Sequence, residues 1–225
     1  MDIVNSPYET LRQRIDAAAK RADRPVRLLA VSKTQPAAAI REVAAAGQRA
    51  FGENYVQEGL AKQRELVELN LEWHMIGPLQ SNKCRDVAQH FDWLQSLDRA
   101  KLVEPLNRCR AVDAAPLNVL IQVNVDDEAS KSGCTPDAAS GLAQKIAAAP
   151  RLALRGLMAI PDPAPDREKR RRAFRRMREL FDELRATYRD IDTLSMGMSD
   201  DFELAIEEGA TMVRIGTAVF GARAT

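Results

Sequence analysis

Three stretches of this chain hold residue types that can do chemistry together. The first centres on Lys33, which follows the uncharged run Leu28-Leu29-Ala30-Val31. A lysine at the mouth of a barrel points its amine into a partly desolvated cavity. An amine stripped of water holds its proton less tightly and becomes a better nucleophile toward an aldehyde. Taken alone, a lysine in a connecting loop is by default a solvated surface residue. The second stretch is Leu194-Ser195-Met196-Gly197-Met198-Ser199-Asp200-Asp201. A glycine and two serines ahead of a helix supply backbone N–H groups, hydroxyls and the positive end of the helix dipole, the parts of a phosphate cradle. Asp200 and Asp201 repel an anion, so backbone and hydroxyl contacts must dominate there. Asp200 with Glu203 also spaces as a capping box, and a plain helix cap explains this segment equally well. The third stretch is Val213-Arg214-Ile215-Gly216-Thr217, a strand end whose glycine lets another backbone approach closely and is followed by a hydroxyl.

The elements that position these groups are legible as an alternation of short apolar runs with longer amphipathic segments, the pattern of βα units with buried parallel strands. The apolar runs fall at 26–31, 50–51, 73–76, 93–97, 117–125, 152–159, 193–196 and 211–215, with 50–51 among the weakest. Helices are expected at 36–46, 55–69, 81–89, 99–112, 135–148, 166–188 and 200–208. A leading helix at 7–22 carries Leu11, Ile15, Ala18 and Ala22 at helical spacing. Eight strands, with the leading helix standing in for the last one, predict an α/β fold consisting of one (β/α)₈ TIM barrel over 1–225 with an extra N-terminal helix. The competing open sheet is disfavoured because Ser32-Lys33-Thr34-Gln35-Pro36, not a G-x-G-x-x-G turn, follows the first strand. In a barrel, loops after strands seven and eight form the recurrent phosphate site. Two such loops facing Lys33 suggest a phosphorylated aldehyde.

Composition narrows the function classes. The 225 residues include 33 Lys and Arg against 32 Asp and Glu, a formal charge of +1, so no overall field draws the molecule onto nucleic acid or an anionic membrane. Cys84, Cys109 and Cys134 are odd in number and far apart, and the only histidines are His74 and His90, which argues against a disulfide framework or a zinc finger. The first residues lack a signal-peptide pattern and no apolar run reaches membrane-span length, so a soluble cytoplasmic protein is expected. Eight basic residues lie between Arg167 and Arg178. Phe174, Met177, Leu180, Phe181, Leu184 and Tyr188 nevertheless form one stripe at helical spacing there, the mark of an outer helix with its arginines in water. Asp166 is well placed as its N-cap.

The residues also carry a family resemblance that runs in order along nearly the whole chain. The blocks are Ala30-Val31-Ser32-Lys33, Phe51-Gly52-Glu53-Asn54-Tyr55-Val56-Gln57-Glu58, Trp73-His74-Met75-Ile76-Gly77-Pro78-Leu79-Gln80-Ser81-Asn82-Lys83, Gln122-Val123-Asn124, Ser130-Lys131-Ser132-Gly133, Gly156-Leu157-Met158, 195–201 and 214–221. Together they resemble the pyridoxal phosphate homeostasis proteins, relatives of the N-terminal barrel of bacterial alanine racemase. The resemblance implies a fold type III barrel that binds pyridoxal 5′-phosphate, with Lys33 forming an internal aldimine. Ser199, Gly216 and Thr217 would hold the phosphate, with Ser195 a further candidate from the same loop. Arg214 takes the place of the arginine that approaches the pyridine nitrogen. An arginine that cannot accept a proton leaves that nitrogen unprotonated and the ring a poor electron sink. Asn54 and His74 are placed near the cofactor ring. Asn54 competes with a helix-cap role, and His74 with that of a satisfied core histidine. Lys131, on the rim after the fifth strand, is a candidate anion or transfer site whose alternative is a solvated turn lysine.

Three functions are weighed on this basis. The leading one is a carrier or buffer in intracellular pyridoxal 5′-phosphate homeostasis, without an assigned catalytic reaction, acting as a monomer and supplying apo-enzymes. The second is an amino-acid racemase-like enzyme, which needs acid and base groups on both cofactor faces; only Ala222-Arg223-Ala224-Thr225 follow Gly221, too little for a second domain. The third is a nucleic-acid or protein-binding scaffold, supported only by the basic run.

Overall fold

The computed structural model describes residues 6–126, 132–162 and 166–221. Eight strands, β1 Arg27–Val31, β2 Ala50–Glu53, β3 Glu72–Met75, β4 Trp93–Leu97, β5 Leu117–Val123, β6 Leu152–Ala159, β7 Thr193–Ser195 and β8 Met212–Ile215, pair in chain order and form a closed barrel. All are parallel, and closure is made by β1 against β8, with Arg27 opposite Met212 and Ala30 opposite Ile215. The (β/α)₈ expectation is met, and the open sheet is set aside because the closed sheet has no edge strand. Around the barrel lie α1 Pro7–Arg21, α2 Ala37–Ala45, α3 Val56–Glu65, α4 Cys84–His90, α5 Val103–Cys109, α6 Ala139–Ala147, α7 Arg167–Thr187, α8 Phe202–Glu207 and α9 Thr217–Phe220. Among the described residues no helix is long and apolar enough to cross a membrane.

The apolar runs become strands because both of their faces are buried. One main core lies where strands meet helices. Two small clusters consist of strand residues only, Leu29 with Ala50 and Met212, and Trp93 with Leu120 and Met158, and these point into the barrel. Helix α1 buries Tyr8, Leu11, Ile15 and Ala18 and packs on α8 and α9, taking the outer position that the last helix would otherwise fill. Its start is secured by a capping box in which Ser6 Oγ accepts from the Glu9 N–H and the Glu9 carboxylate accepts from the Ser6 N–H.

Helix α7 buries Phe174, Met177, Leu180, Phe181 and Leu184, each worth about 1.5–3 kcal/mol on leaving water. Asp166 caps it, accepting from the N–H groups of Glu168 at 2.9 Å and Lys169 at 3.2 Å. Several of its basic side chains pair with acids at the end of the next helix: Arg167 with Glu207, and Arg171 and Arg175 with Glu208, which follows it. The basic run is thus answered in part by acids at the end of α8 and in part within α7, where Arg176 pairs with Glu179 and Arg178 with Asp182.

Other boundaries differ from expectation for physical reasons. Strand β2 continues through Gly52 to Glu53, although a charge normally ends a buried strand; Glu53 is fully buried because Lys62 and Ser32 donate to it. Helix α3 stops at Glu65, and a 3₁₀ turn over Val67–Leu69 ends on Asn70 in the left-handed region at φ 48°. The expected Asp200–Glu203 capping box does not form. Helix α8 begins at Phe202 after Asp201, whose carboxylate instead accepts from the Met198 N–H at 2.7 Å. The one-turn α9 was not anticipated, since four residues are too few for a helical period to register.

Candidate functional site

Strand ends at the C-terminal rim of the barrel enclose a cavity of about 410 Å³, within the range of small-molecule sites. Lys33 after β1, Asn54 after β2, Ser199 after β7, and Gly216 and Thr217 after β8 all line it, with Arg214 of β8. Six of the eight residues expected around the cofactor are therefore brought together by barrel closure. Lys131 lies outside the described residues, and its neighbour Ser132 lines the cavity.

Lys33 is half-buried, and among the described residues its amine has no hydrogen bond or ion pair. The loop that carries it is held firmly. Thr34 sits in the left-handed region at φ 64°, an unusual conformation for a β-branched residue that needs outside support. Glu58 of α3 provides it, its Oε1 accepting from the Thr34 N–H at 2.5 Å. The same oxygen accepts from Lys62 Nζ at 2.6 Å, and Nζ also donates to Glu53 Oε1 at 2.8 Å and to the Ser32 carbonyl at 2.7 Å. Ser32 Oγ donates to Glu53 Oε1 at 2.5 Å. Burial pushes the Glu53 pKa up, against the opposing pull of hydrogen bonds from Lys62 and Ser32 and the Lys62 charge.

On the far side, Gly216 precedes the first turn of α9. A Cβ built there would lie 3.1 Å from the Val31 carbonyl oxygen, so a side chain would press on β1. Thr217, an exposed residue on the cavity lining, follows, and the first turn of a helix has N–H groups free to meet an anion. Gly197 lets the β7 loop fold onto α8: its φ is 94°, and a Cβ would come within 2.6 Å of Ala205 Cβ. The acids beside Ser199 are partly answered, Asp201 by the Met198 N–H and by Arg170 at 3.8 Å.

Arg214 is 4% exposed and donates from Nη1 to Ser195 Oγ and from Nη2 to the Ala159 carbonyl, both at 2.8 Å. Burial lowers its pKa to about 10, with Asp201 acting in the opposite direction, so it stays charged at neutral pH. Asn54 is not a helix cap: Tyr55 holds the N-cap position of α3 and makes no side-chain cap bond. The Asn54 backbone is instead covered by Gly77, where a Cβ would come within 2.1 Å of the Asn54 carbonyl oxygen.

His74 and Ser195 do not line the cavity. Both are fully buried inside the barrel, Ser195 beneath Arg214 and His74 stacked on Trp93 with ring centroids 5.1 Å apart. Sequence reading puts His74 near the cofactor ring with a satisfied core histidine as its default alternative, and offers Ser195 as a weaker phosphate candidate; neither side chain is part of the cavity lining. Side chains facing into a barrel alternate along each strand, and the inward residues nearest its middle lie below the rim. Sequence reading missed Gln95, Glu53, Glu58 and Lys62. Two signals were present: a glutamine inside the apolar run at 93–97, and the Glu58–Lys62 spacing of i,i+4.

Comparison with known proteins gives this geometry a family. Residues 8–224 match the family described as alanine racemase, N-terminal domain. The pyridoxal phosphate homeostasis protein of Pseudomonas aeruginosa is 57% identical over 213 residues, covering 93% of this chain and 91% of that protein. The protein of the same name from Escherichia coli K12 is 55% identical over 219 residues, covering 95% of this chain and 94% of its own length. PipY of Synechococcus elongatus, solved with pyridoxal phosphate bound, is 40% identical with a TM-score of 0.77, covering 91% of this chain and 98% of that one. The chain belongs to the pyridoxal phosphate homeostasis protein family, built on the alanine racemase N-terminal barrel.

Proposed function

We propose that this protein binds pyridoxal 5′-phosphate reversibly at the barrel mouth and serves as a cytoplasmic carrier or buffer of it, delivering to apo-enzymes. The observation that carries the reading is the convergence of a lysine amine, two hydroxyl-bearing loops and a donor-only arginine on one cavity. When bound, the cofactor supplies an aldehyde that an amine captures reversibly, beside a phosphate and an aromatic ring nitrogen. The donors present suit those three groups. Lys33 would hold the aldehyde end. The hydroxyls of Ser199 and Thr217 and the backbone at Gly216, which packs close against the Val31 carbonyl of β1, would hold the phosphate. Asn54 would meet the ring hydroxyl. Arg214 would face the ring nitrogen, and because a guanidinium donates but has no lone pair to accept with, it leaves that nitrogen without a proton. These residues favour holding and releasing the cofactor over deprotonating an amino acid. The PipY structure with pyridoxal phosphate bound supports the assignment.

The test is an absorbance titration of wild-type and Lys33→Ala proteins with pyridoxal 5′-phosphate, followed by borohydride reduction and peptide mass mapping. A protein-bound chromophore fixed on Lys33 and lost in the variant is the expected result. No chromophore with either protein would overturn the reading. Sustained racemisation of amino acids by the pure protein would replace the carrier with an enzyme.

A further inference from the structure

We infer that Ser195, Gln95 and His74 are positioning residues that aim Arg214 at the cavity through a hydrogen-bond chain crossing the barrel to Glu72. The inference rests on the reading of Arg214 as the group facing the cofactor ring. The links are continuous. Arg214 Nη1 donates to Ser195 Oγ at 2.8 Å, and Ser195 Oγ donates to Gln95 Oε1 at 2.7 Å. Gln95 Nε2 lies 2.8 Å from His74 Nδ1, and His74 Nε2 lies 2.6 Å from Glu72 Oε1. Strands β4 and β7 are not neighbours in the barrel, so the Ser195–Gln95 bond runs through its interior. Ser195, Gln95 and His74 are each 0% exposed.

The two ends dictate the direction of every link. A guanidinium only donates and an ionised carboxylate only accepts. Ser195 Oγ receives from Arg214, so its one proton goes to Gln95 Oε1. The Gln95 amide then turns its N–H to His74, whose Nδ1 must be bare and whose proton sits on Nε2, aimed at Glu72. Burial favours the neutral form of His74, while its hydrogen bond to Glu72 works the other way. Each dipole lies with its negative end toward the Arg214 cation and its positive end toward the Glu72 anion, the alignment their fields favour. Among the described residues Arg214 makes no ion pair, so this chain and the Ala159 carbonyl are what fix its guanidinium. Arg27 anchors the far end, donating to the same Glu72 oxygen at 2.7 Å. Three buried polar side chains in a barrel interior are costly unless all are paired, and here one proton arrangement pairs them.

Gln95 is the residue to change, because it does not line the cavity. In protein labelled with ¹⁵N histidine and free of cofactor, His74 is expected as the neutral Nε2–H tautomer. In Gln95→Glu the new carboxylate accepts from both neighbours, so His74 should carry protons on both nitrogens at pH 7. In pyridoxal 5′-phosphate titrations, Gln95→Met should bind at least about tenfold more weakly, with a shifted absorbance of the bound cofactor, the scale of one charge-assisted hydrogen bond. Gln95→Glu, which still accepts from Ser195, should restore most of that affinity. A wild-type Nδ1–H tautomer would overturn the chain, as would wild-type affinity and spectrum in Gln95→Met. If Gln95→Met does not fold, an unchanged His74 spectrum in Gln95→Glu overturns it equally. Loss of binding by the wild type would strike the proposed function alone, since the tautomer is read without cofactor.

Discussion

Replacing Lys62 with methionine should expose how the lysine-bearing loop is held. Lys62 is 6% exposed and its ammonium makes three hydrogen bonds, two of them to Glu53 and Glu58. Methionine keeps much of the stem's bulk and removes the charge, leaving buried Glu53 with Ser32 as its one side-chain donor among the described residues. An uncompensated buried carboxylate costs about 3–5 kcal/mol. Glu53 can escape by taking up a proton, so the loss must depend on pH. Its folded pKa already lies above the ordinary 4.5 and rises further without Lys62. A group whose folded pKa exceeds its unfolded value favours the folded state when protonated, so the variant loses stability as pH rises through that interval. The gap between wild type and Lys62→Met should be small near about pH 5 and approach about 3–5 kcal/mol near about pH 8. Urea unfolding at both pH values measures it, and Glu53→Gln added to Lys62→Met should recover most of the loss, since an apolar or neutral pair replaces a broken ion pair. Glu58 also holds the Thr34 N–H, so borohydride labelling of Lys33 with pyridoxal 5′-phosphate should fall in the single variant. A loss below about 1 kcal/mol that does not vary with pH would refute the reasoning and leave Lys62 as a packing residue.

Three further outcomes are expected. Gly156→Ala should cost more than about 3 kcal/mol or yield insoluble protein, because Gly156 has φ 144° and its Cβ would lie 1.9 Å from the Thr193 carbonyl oxygen; an unchanged melting temperature would contradict the β6–β7 spacing. His74 has a folded pKa below its ordinary 6.5, so its contribution to stability is present above that pH and lost on acidification; His74→Gln should flatten the stability profile below about pH 6.5 in chemical denaturation. Asp166→Ala should cost about 1 kcal/mol through the lost cap of α7, whereas Asp200→Ala should stay within about 0.5 kcal/mol because α8 is not capped by it, a contrast thermal melts resolve.

Barrel architecture was legible in the sequence because burial on both faces leaves a local trace: an apolar run of strand length, then an amphipathic period. Lys33, Ser199, Gly216 and Thr217 were legible for a related reason, since groups at the C-terminal ends of barrel strands are brought to one rim by closure. The stripe from Phe174 to Leu184 likewise identified the basic helix as an outer one before its arginines were seen beside Glu207 and Glu208. What tertiary structure alone decided lies between residues far apart in the chain. Ser195 and Gln95 are 100 positions apart and meet only because the closed barrel faces β7 toward β4, so sequence offered Ser195 only as a further phosphate candidate and gave Gln95 no role. For His74 sequence left ring packing and a satisfied core histidine both open, and its full burial on β3, with Gln95 and Glu72 as partners, comes from the closed barrel. Lys62 spaced as a surface partner of Glu58, yet it is buried because α3 presses it against Glu53 and the Ser32 carbonyl. Periodicity records which face of an element is dry, a local property. Which polar groups share the dry interior, and in which direction their protons run, depends on strands that only closure makes neighbours across the barrel.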